Sequence, residues 1–301
     1  MNGLEKLATE RSNPKTSKLD SMSVKEIIKT MNEEDQTVAI AVAKVLPQIE
    51  DAIHIVYDKL SKGGRLFYVG AGTSGRIGLL DAVECPPTFS TSPQMVQAVL
   101  AGGLSAVMVA VEGAEDDKEL GENDLMQKKI TSSDVVIGIA ASGRTPYVAG
   151  ALSYAQTIGA KTISLTSNMQ AAISQFANVA IEVETGPEIL TGSTRLKAAT
   201  AHKMVLNMIS TATMIQLGKV YQNLMVDVHA SNFKLKERAK RIVCEATNVT
   251  NEEAEKALTE TQFNVKQAIV MLLTEFTADE VAVLLNKTDG KVRAAIGEIK
   301  H

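Results

Sequence analysis

Leu66-Phe67-Tyr68-Val69, running into Gly70-Ala71-Gly72-Thr73-Ser74-Gly75, decides the fold: a short β-rich apolar run empties into a small-residue turn, and a helical pattern follows. The same arrangement recurs downstream. Val135-Val136-Ile137-Gly138-Ile139 enters Ala141-Ser142-Gly143-Arg144-Thr145, and Thr162-Ile163-Ser164-Leu165 enters Thr166-Ser167-Asn168. Val179-Ala180-Ile181-Glu182-Val183 reads as a further strand and Met95 to Leu100 as a weaker one. Strands alternating with helices specify a largely parallel sheet with helices on both faces, so the fold class is α/β and doubly wound. In such folds ligands bind at the carboxyl ends of the strands, where these turns lie.

Working outward, residues 1–22 are polar, contain Asn13-Pro14, and read as an extended arm outside the core. From Ser23 the pattern turns helical, with Glu26 three residues on as a capping partner and Val38, Val42, Val45, Leu46, Ile49, Ile53, Val56 and Leu60 at spacings of three and four. Pro47 predicts a kink or a break between two helices. Beyond Gly192, Ser193 to Gly218 reads as one long apolar helix whose Met204, Met208 and Met214 suit a core or a subunit interface. The final stretch contains an internal repeat with an offset of 27 residues, as from Thr250 to Thr277. Each copy carries a capped helix start and an apolar stripe, hence a helical hairpin, and two hairpins bury their faces on each other. The expected organisation is an N-terminal arm (1–22), a sheet domain with leading helices (23–233) and a small helical domain (234–301). The charged stretch Lys234 to Arg241 separates the last two.

Composition narrows the function. The chain has 301 residues, 45% hydrophobic and 22% charged, with a net charge of −4, which suits about two domains and favours collapse over disorder. That charge argues against a surface built for nucleic acid. Cys85 and Cys244 lie in no Cys-x-x-Cys pair and read as reduced thiols, and His54, His202, His229 and His301 are too scattered for the usual metal spacings. No apolar run resembles a signal peptide or approaches the roughly 18 residues of a membrane span. The expectation is a cytoplasmic protein without a membrane partner or a structural metal.

The turns carry the chemistry. Glycine and hydroxyl residues after a strand let helix N-terminal amides approach an anion closely, which makes a phosphate cradle. Gly70-x-Gly72-x-x-Gly75 formally matches the dinucleotide fingerprint, but the acid expected about 20 residues on is missing. Two further hydroxyl-rich turns, Ser142-Gly143-Arg144-Thr145 and Gly192-Ser193-Thr194-Arg195, supply more donors than one pyrophosphate needs. A compact sugar phosphate fits better. Two acids stand out: Glu84, beyond the first helix and before a Pro86-Pro87 turn, and Glu115, in the loop Glu112-Gly-Ala-Glu115-Asp-Asp117. Carboxyls converging on one site can be driven to different pKa values, one an acid and one a base. Glu112, Asp116 and Asp117 read better as a solvated helix start, while for Glu84 structural and functional readings balance.

These residues together resemble the N-acetylmuramic acid 6-phosphate etherases, bacterial lactyl-ether hydrolases built on a sugar isomerase (SIS) domain. The resemblance rests on Gly70-Ala-Gly-Thr-Ser-Gly-Arg76, Asp81-Ala-Val-Glu-Cys-Pro-Pro87, Glu112-Gly-Ala-Glu-Asp116, Ala141-Ser-Gly-Arg-Thr-Pro146, Thr191-Gly-Ser-Thr-Arg-Leu-Lys197 and Asn223-Leu-Met-Val-Asp227, and spans essentially the whole chain. One departure is Ser12 before Asn13, where the family usually places Arg. The resemblance implies a SIS-type, flavodoxin-like sheet, a ubiquitin-associated-like C-terminal bundle, a homodimer, and a reaction needing no metal or redox cofactor. It implies that Glu84 protonates the departing lactate oxygen and Glu115 removes the carbon 2 proton, roles the sequence alone leaves exchangeable. Thr73, Ser74, Ser142, Gly143 and Thr145, then Ser193 and Thr194, are the expected phosphate residues, with turn and helix capping as their alternative use. Arg195 and Lys197 are candidates for the lactate carboxylate or the phosphate, or simply face solvent. A sugar phosphate isomerase on the same fold, or a non-catalytic sugar phosphate sensor like the glucokinase regulatory protein, are the competing readings.

Overall fold

The computed structural model of the protein describes residues 7–109, 111–228 and 232–299. His229 and His301, and residues 1–6 of the arm, lie outside the described residues. The chain divides into two compact units: everything up to Val83 together with Gln94–Ser210, and Glu84–Pro93 together with Thr211 onward.

In the first unit α1 (Val24–Ala43) opens on a Ser23/Glu26 capping box and α2 (Leu46–Ser61) follows it. The break falls at Pro47, which sits in the first turn of α2, where a missing N–H leaves no helical bond unmade. Then come β1 (Leu66–Gly70), α3 (Gly72–Phe89, of which the part from Glu84 on counts with the second unit), β2 (Val96–Leu100), the one-turn α4 (Ser105–Met108), α5 (Lys118–Gln127), β3 (Val135–Ile139), α6 (Pro146–Thr157), β4 (Lys161–Thr166), β5 (Val179–Glu182) and α7 (Lys197–Gln216, of which the part from Thr211 on counts with the second unit). The five strands pair in parallel in the order β2-β1-β3-β4-β5. This is the flavodoxin-like order, and its switch point lies between β1 and β3. Phe67, Val69 and Val136 pack with Leu125, Tyr147 and Leu152 of α5 and α6 on one face. On the other, the Tyr68 hydroxyl donates to Asp81 of α3 at 2.7 Å. Burial on both sides explains the unbroken apolar runs, and each fully buried side chain contributes roughly 1.5–3 kcal/mol.

Two boundaries differ from expectation. The Pro86-Pro87 pair forms no turn: both prolines lie inside α3, so Glu84 is a helical residue. Proline's fixed φ is itself helical, so the helix continues through the pair, and each proline forfeits the bond to the residue four back. The long apolar helix begins at Lys197, leaving Ser193, Thr194 and Arg195 in the turn before it, and of its three methionines only Met214 is fully buried.

The second unit contains the ribbon β6 (Val220–Tyr221) and β7 (Leu224–Met225), then α8 (Phe233–Thr247), α9 (Asn251–Glu260), α10 (Val265–Thr274), α11 (Ala278–Lys287) and α12 (Val292–Ile299). The stretch Lys234 to Arg241, expected as a separator, lies within α8. The repeat is realised in its core: Ala254, Leu258, Val265 and Ala268 are buried in one cluster with their counterparts Val281, Leu285, Val292 and Ala295. Lys219 and Lys266 both reach Asp227, at 2.7 and 3.0 Å, tying the segment after the ribbon to α10.

Candidate active site

A cavity of about 460 Å³ opens at the carboxyl ends of β1 and β3, the switch point of the sheet. The start of α3, directly after β1, contributes Gly72, Thr73 and Ser74, and the turn after β3 contributes Ser142, Arg144 and Thr145. Glu115 and Asp116 reach it from the 3-10 turn Ala114–Asp116, Gly192 and Thr194 from the segment before α7, and Glu10 from the N-terminal segment. Each element arrives for a local reason. A Cβ on Gly75 would lie 2.6 Å from the Gly70 carbonyl oxygen, so only glycine lets α3 start this close to the end of β1. Gly143 has φ +69° and its N–H closes a turn onto the Ala140 carbonyl at 2.9 Å. Asp117 caps α5 by accepting from the Leu120 amide at 2.9 Å, fixing the turn that presents Glu115.

The hydrogen bonds sort these groups by availability. Thr145 stands at the N-cap of α6 yet makes no side-chain cap bond, so the alternative use as a helix cap is not taken up. Ser142 accepts from the Arg144 amide at 3.2 Å and keeps its own proton to donate. Two helix N-termini, those of α3 and α6, therefore face the cavity with hydroxyls beside them, a setting suited to an anion.

The third turn is different. The Glu188 carboxylate accepts from the amides of Lys197 and Ala198, both at 2.9 Å, so an internal anion already occupies the start of α7. Glu188 is fully buried, and burial raises its carboxyl above the ordinary range despite those two amides. Lys197 itself is buried and its ammonium meets Glu34 at 2.7 Å, which corrects the expectation that it reaches substrate or solvent. Burial pushes the Glu34 carboxyl up, but hydrogen bonds from Lys197 and then Lys15 outweigh that and hold it at about 2. Of the expected residues, Thr73, Ser74, Ser142, Thr145, Thr194 and Glu115 are brought together at the cavity. Gly143, Ser193, Arg195 and Lys197 do not line it, and Glu84 is an exposed residue of α3 outside the lining.

Sequence reasoning missed Glu10 and set Asp116 aside as a solvated residue. The arm is not outside the core: Ala8, Thr9, Asn13 and Thr16 are buried, and among its described residues three 3-10 turns order it. Asn168 accepts from the Ala8 amide at 2.7 Å and donates to the Thr9 hydroxyl at 3.0 Å, while Asn13 donates to Glu34 at 3.0 Å. These partners are distant in sequence, and no local pattern announces them. The two cysteines form no disulfide, and Cys85 is buried.

Residues 48–156 match the family described as glucokinase regulatory protein N-terminal SIS domain, and residues 109–214 match the SIS domain family. The chain is 60% identical over 293 residues to an N-acetylmuramic acid 6-phosphate etherase of Geobacillus thermodenitrificans, covering 97% of this chain and 99% of that one. It is 58% identical, over the same shares, to N-acetylmuramic acid 6-phosphate etherase 2 of Lactiplantibacillus plantarum. Among solved structures, a phosphoheptose isomerase from Francisella tularensis superposes with a TM-score of 0.52 at 19% identity, covering 65% of this chain and all of that one, a likeness of fold.

Proposed function

Since the chain belongs to the N-acetylmuramic acid 6-phosphate etherases, we propose that it cleaves the D-lactyl ether of that sugar phosphate by elimination followed by hydration. In the open-chain sugar the aldehyde acidifies the carbon 2 proton, so a carboxylate base can remove it. The carbon 3–oxygen bond then breaks, a double bond forms between carbons 2 and 3, and an acid protonates the lactate oxygen. Water adds its oxygen at carbon 3 and a proton returns to carbon 2, giving N-acetylglucosamine 6-phosphate and D-lactate. Glu115 is the proposed base and Glu84 the proposed acid. Thr73, Ser74, Ser142 and Thr145 are the proposed phosphate donors, with Thr194 beside them. The observation that carries this reading is the meeting, in one cavity, of two open helix starts with the Glu115 carboxylate, whose side chain makes no hydrogen bond or ion pair among the described residues.

The protein is further proposed to act as a homodimer in the cytoplasm. Leu104 and Met108, at 85% and 86% exposed, give the α4 segment an apolar surface suited to a second copy. Cys85 and Cys244 form no disulfide, which suits a reducing compartment, and no described helix is long and apolar enough to cross a membrane. Proton NMR with N-acetylmuramic acid 6-phosphate in deuterated water tests the reaction: lactate appears and the new product carries deuterium at carbon 2. Exchange without lactate would turn the assignment to an isomerase, and neither signal would turn it to a sugar phosphate sensor.

A further inference from the structure

Glu10 is a third carboxylate at the cavity, beside Glu115 and Asp116, and the reaction as derived gives it no task. It ends the 3-10 turn Ala8–Glu10, and its side chain makes no hydrogen bond or ion pair among the described residues. Its Oε2 lies 3.4 Å from where a Cβ on Gly192 would sit, which places the carboxylate against the Gly192 wall. The segment carrying it is held from both sides of the site. The Asn168 amide that bonds Ala8 and Thr9 also donates to the Ala141 carbonyl at 2.9 Å, the residue before Ser142. Further along, Thr16 donates to the Ile189 carbonyl at 2.8 Å, and Asn13 shares Glu34 with Lys197 at the start of α7.

An ionised carboxylate only accepts hydrogen bonds, and it repels a phosphate. A carboxylate fixed in a site for a sugar phosphate must therefore meet the uncharged, donating part of the ligand. We propose that Glu10 is a sugar-recognition residue: its carboxylate accepts a hydrogen bond from a hydroxyl of the bound sugar phosphate, and the N-terminal segment 7–16 is the wall that presents it. The assignment rests on the sugar phosphate reading of this cavity.

The test compares calorimetric binding of N-acetylglucosamine 6-phosphate and of inorganic phosphate to the full-length wild type, Glu10→Ala and Glu10→Gln, with lactate release measured alongside. A hydrogen bond to a charged group corresponds to roughly a 10- to 100-fold loss of sugar phosphate affinity in Glu10→Ala. Glu10→Gln, which keeps an acceptor oxygen, loses less. Inorganic phosphate binds both variants at least as tightly as the wild type, because a nearby negative charge has been removed. Unchanged sugar phosphate affinity in Glu10→Ala would overturn the proposal. So would a parallel weakening of both ligands, which would mean that Glu10 only holds the fold. A wild type that shows the Glu10 effect but releases no lactate would remove the etherase reading and leave Glu10 in place. A wild type that binds no sugar phosphate would remove both.

Discussion

Helix starts in the two units satisfy their first amides differently where it matters. In the helical unit Asn232, Thr250, Asn264 and Thr277 each accept from the amide three residues on, and Thr250 and Thr277 complete capping boxes with Glu253 and Glu280. In the sheet unit Ser23 and Asp117 do the same for α1 and α5, and Glu188 does it from a distance for α7. The starts of α2 and α4 lie behind Val45 and Leu104, which carry no side-chain acceptor, whereas Thr145 ahead of α6 carries one and makes no cap bond. A used cap is worth about 1 kcal/mol of stability. Leaving one unused at the edge of the cavity keeps a hydroxyl available there, at a cost in stability.

The largest effect falls on the loop where the two kinds of group stand two residues apart. Glu115→Ala is expected to abolish both carbon 2 exchange and lactate release, a loss of roughly 10²- to 10⁴-fold, with little change in melting temperature. Asp117→Ala removes the α5 cap and is expected to cost about 1 kcal/mol of stability. Glu84→Ala separates the two proposed roles, because exchange should survive while lactate release is lost. Wild-type lactate release from both glutamate variants would break the contrast and the assignment with it.

In the sheet unit His202 is wholly buried, which pushes its imidazole down to about 4 from 6.5. Between those values the unfolded chain binds a proton that the folded chain refuses, so stability falls as pH drops from about 6.5 through about 4. Glu34, held low, loses its contribution as pH falls from 4.5 toward 2, while Asp81 and Glu188, raised by burial, act in the opposite sense. The His202 contribution amounts to about 2 kcal/mol between pH 7 and 5. Urea unfolding followed by circular dichroism at the two pH values should show this loss in the wild type and a flatter response in His202→Gln. Equal slopes would assign the acid sensitivity elsewhere.

How much of this was legible depends on the range of the interactions. The strands and their turns show in the sequence because burial on both faces demands continuous apolar runs, and the 27-residue repeat shows because Ala254 and Val281, or Leu258 and Leu285, answer the same packing need. The turns at the cavity were legible as hydroxyl and glycine clusters. Whether each cluster was open was not. Lys197 reads as a cation at a helix start until Glu34, from α1, is seen to neutralise it, and the start of α7 reads as an anion site until Glu188 is seen to fill it. Glu10 hides in a polar stretch that looks like an arm, because what orders it is the side-chain amide of Asn168 and not a periodic pattern.

The smallest effects test the difference between used and unused caps most directly, through two threonines at equivalent helix positions. Thr145→Val keeps the shape and removes the hydroxyl; since that hydroxyl makes no cap bond, the melting temperature should hold while sugar phosphate affinity falls roughly 10-fold or more. Thr277→Ala should do the reverse, lowering stability by about 1 kcal/mol through the lost α11 capping box and leaving lactate release unchanged. The sign of each result carries the argument. If Thr145→Val destabilised the fold as Thr277→Ala does, its hydroxyl would be structural after all. The open helix starts would then reduce to α3 alone, where Thr73 and Ser74 would have to hold the phosphate without help from α6.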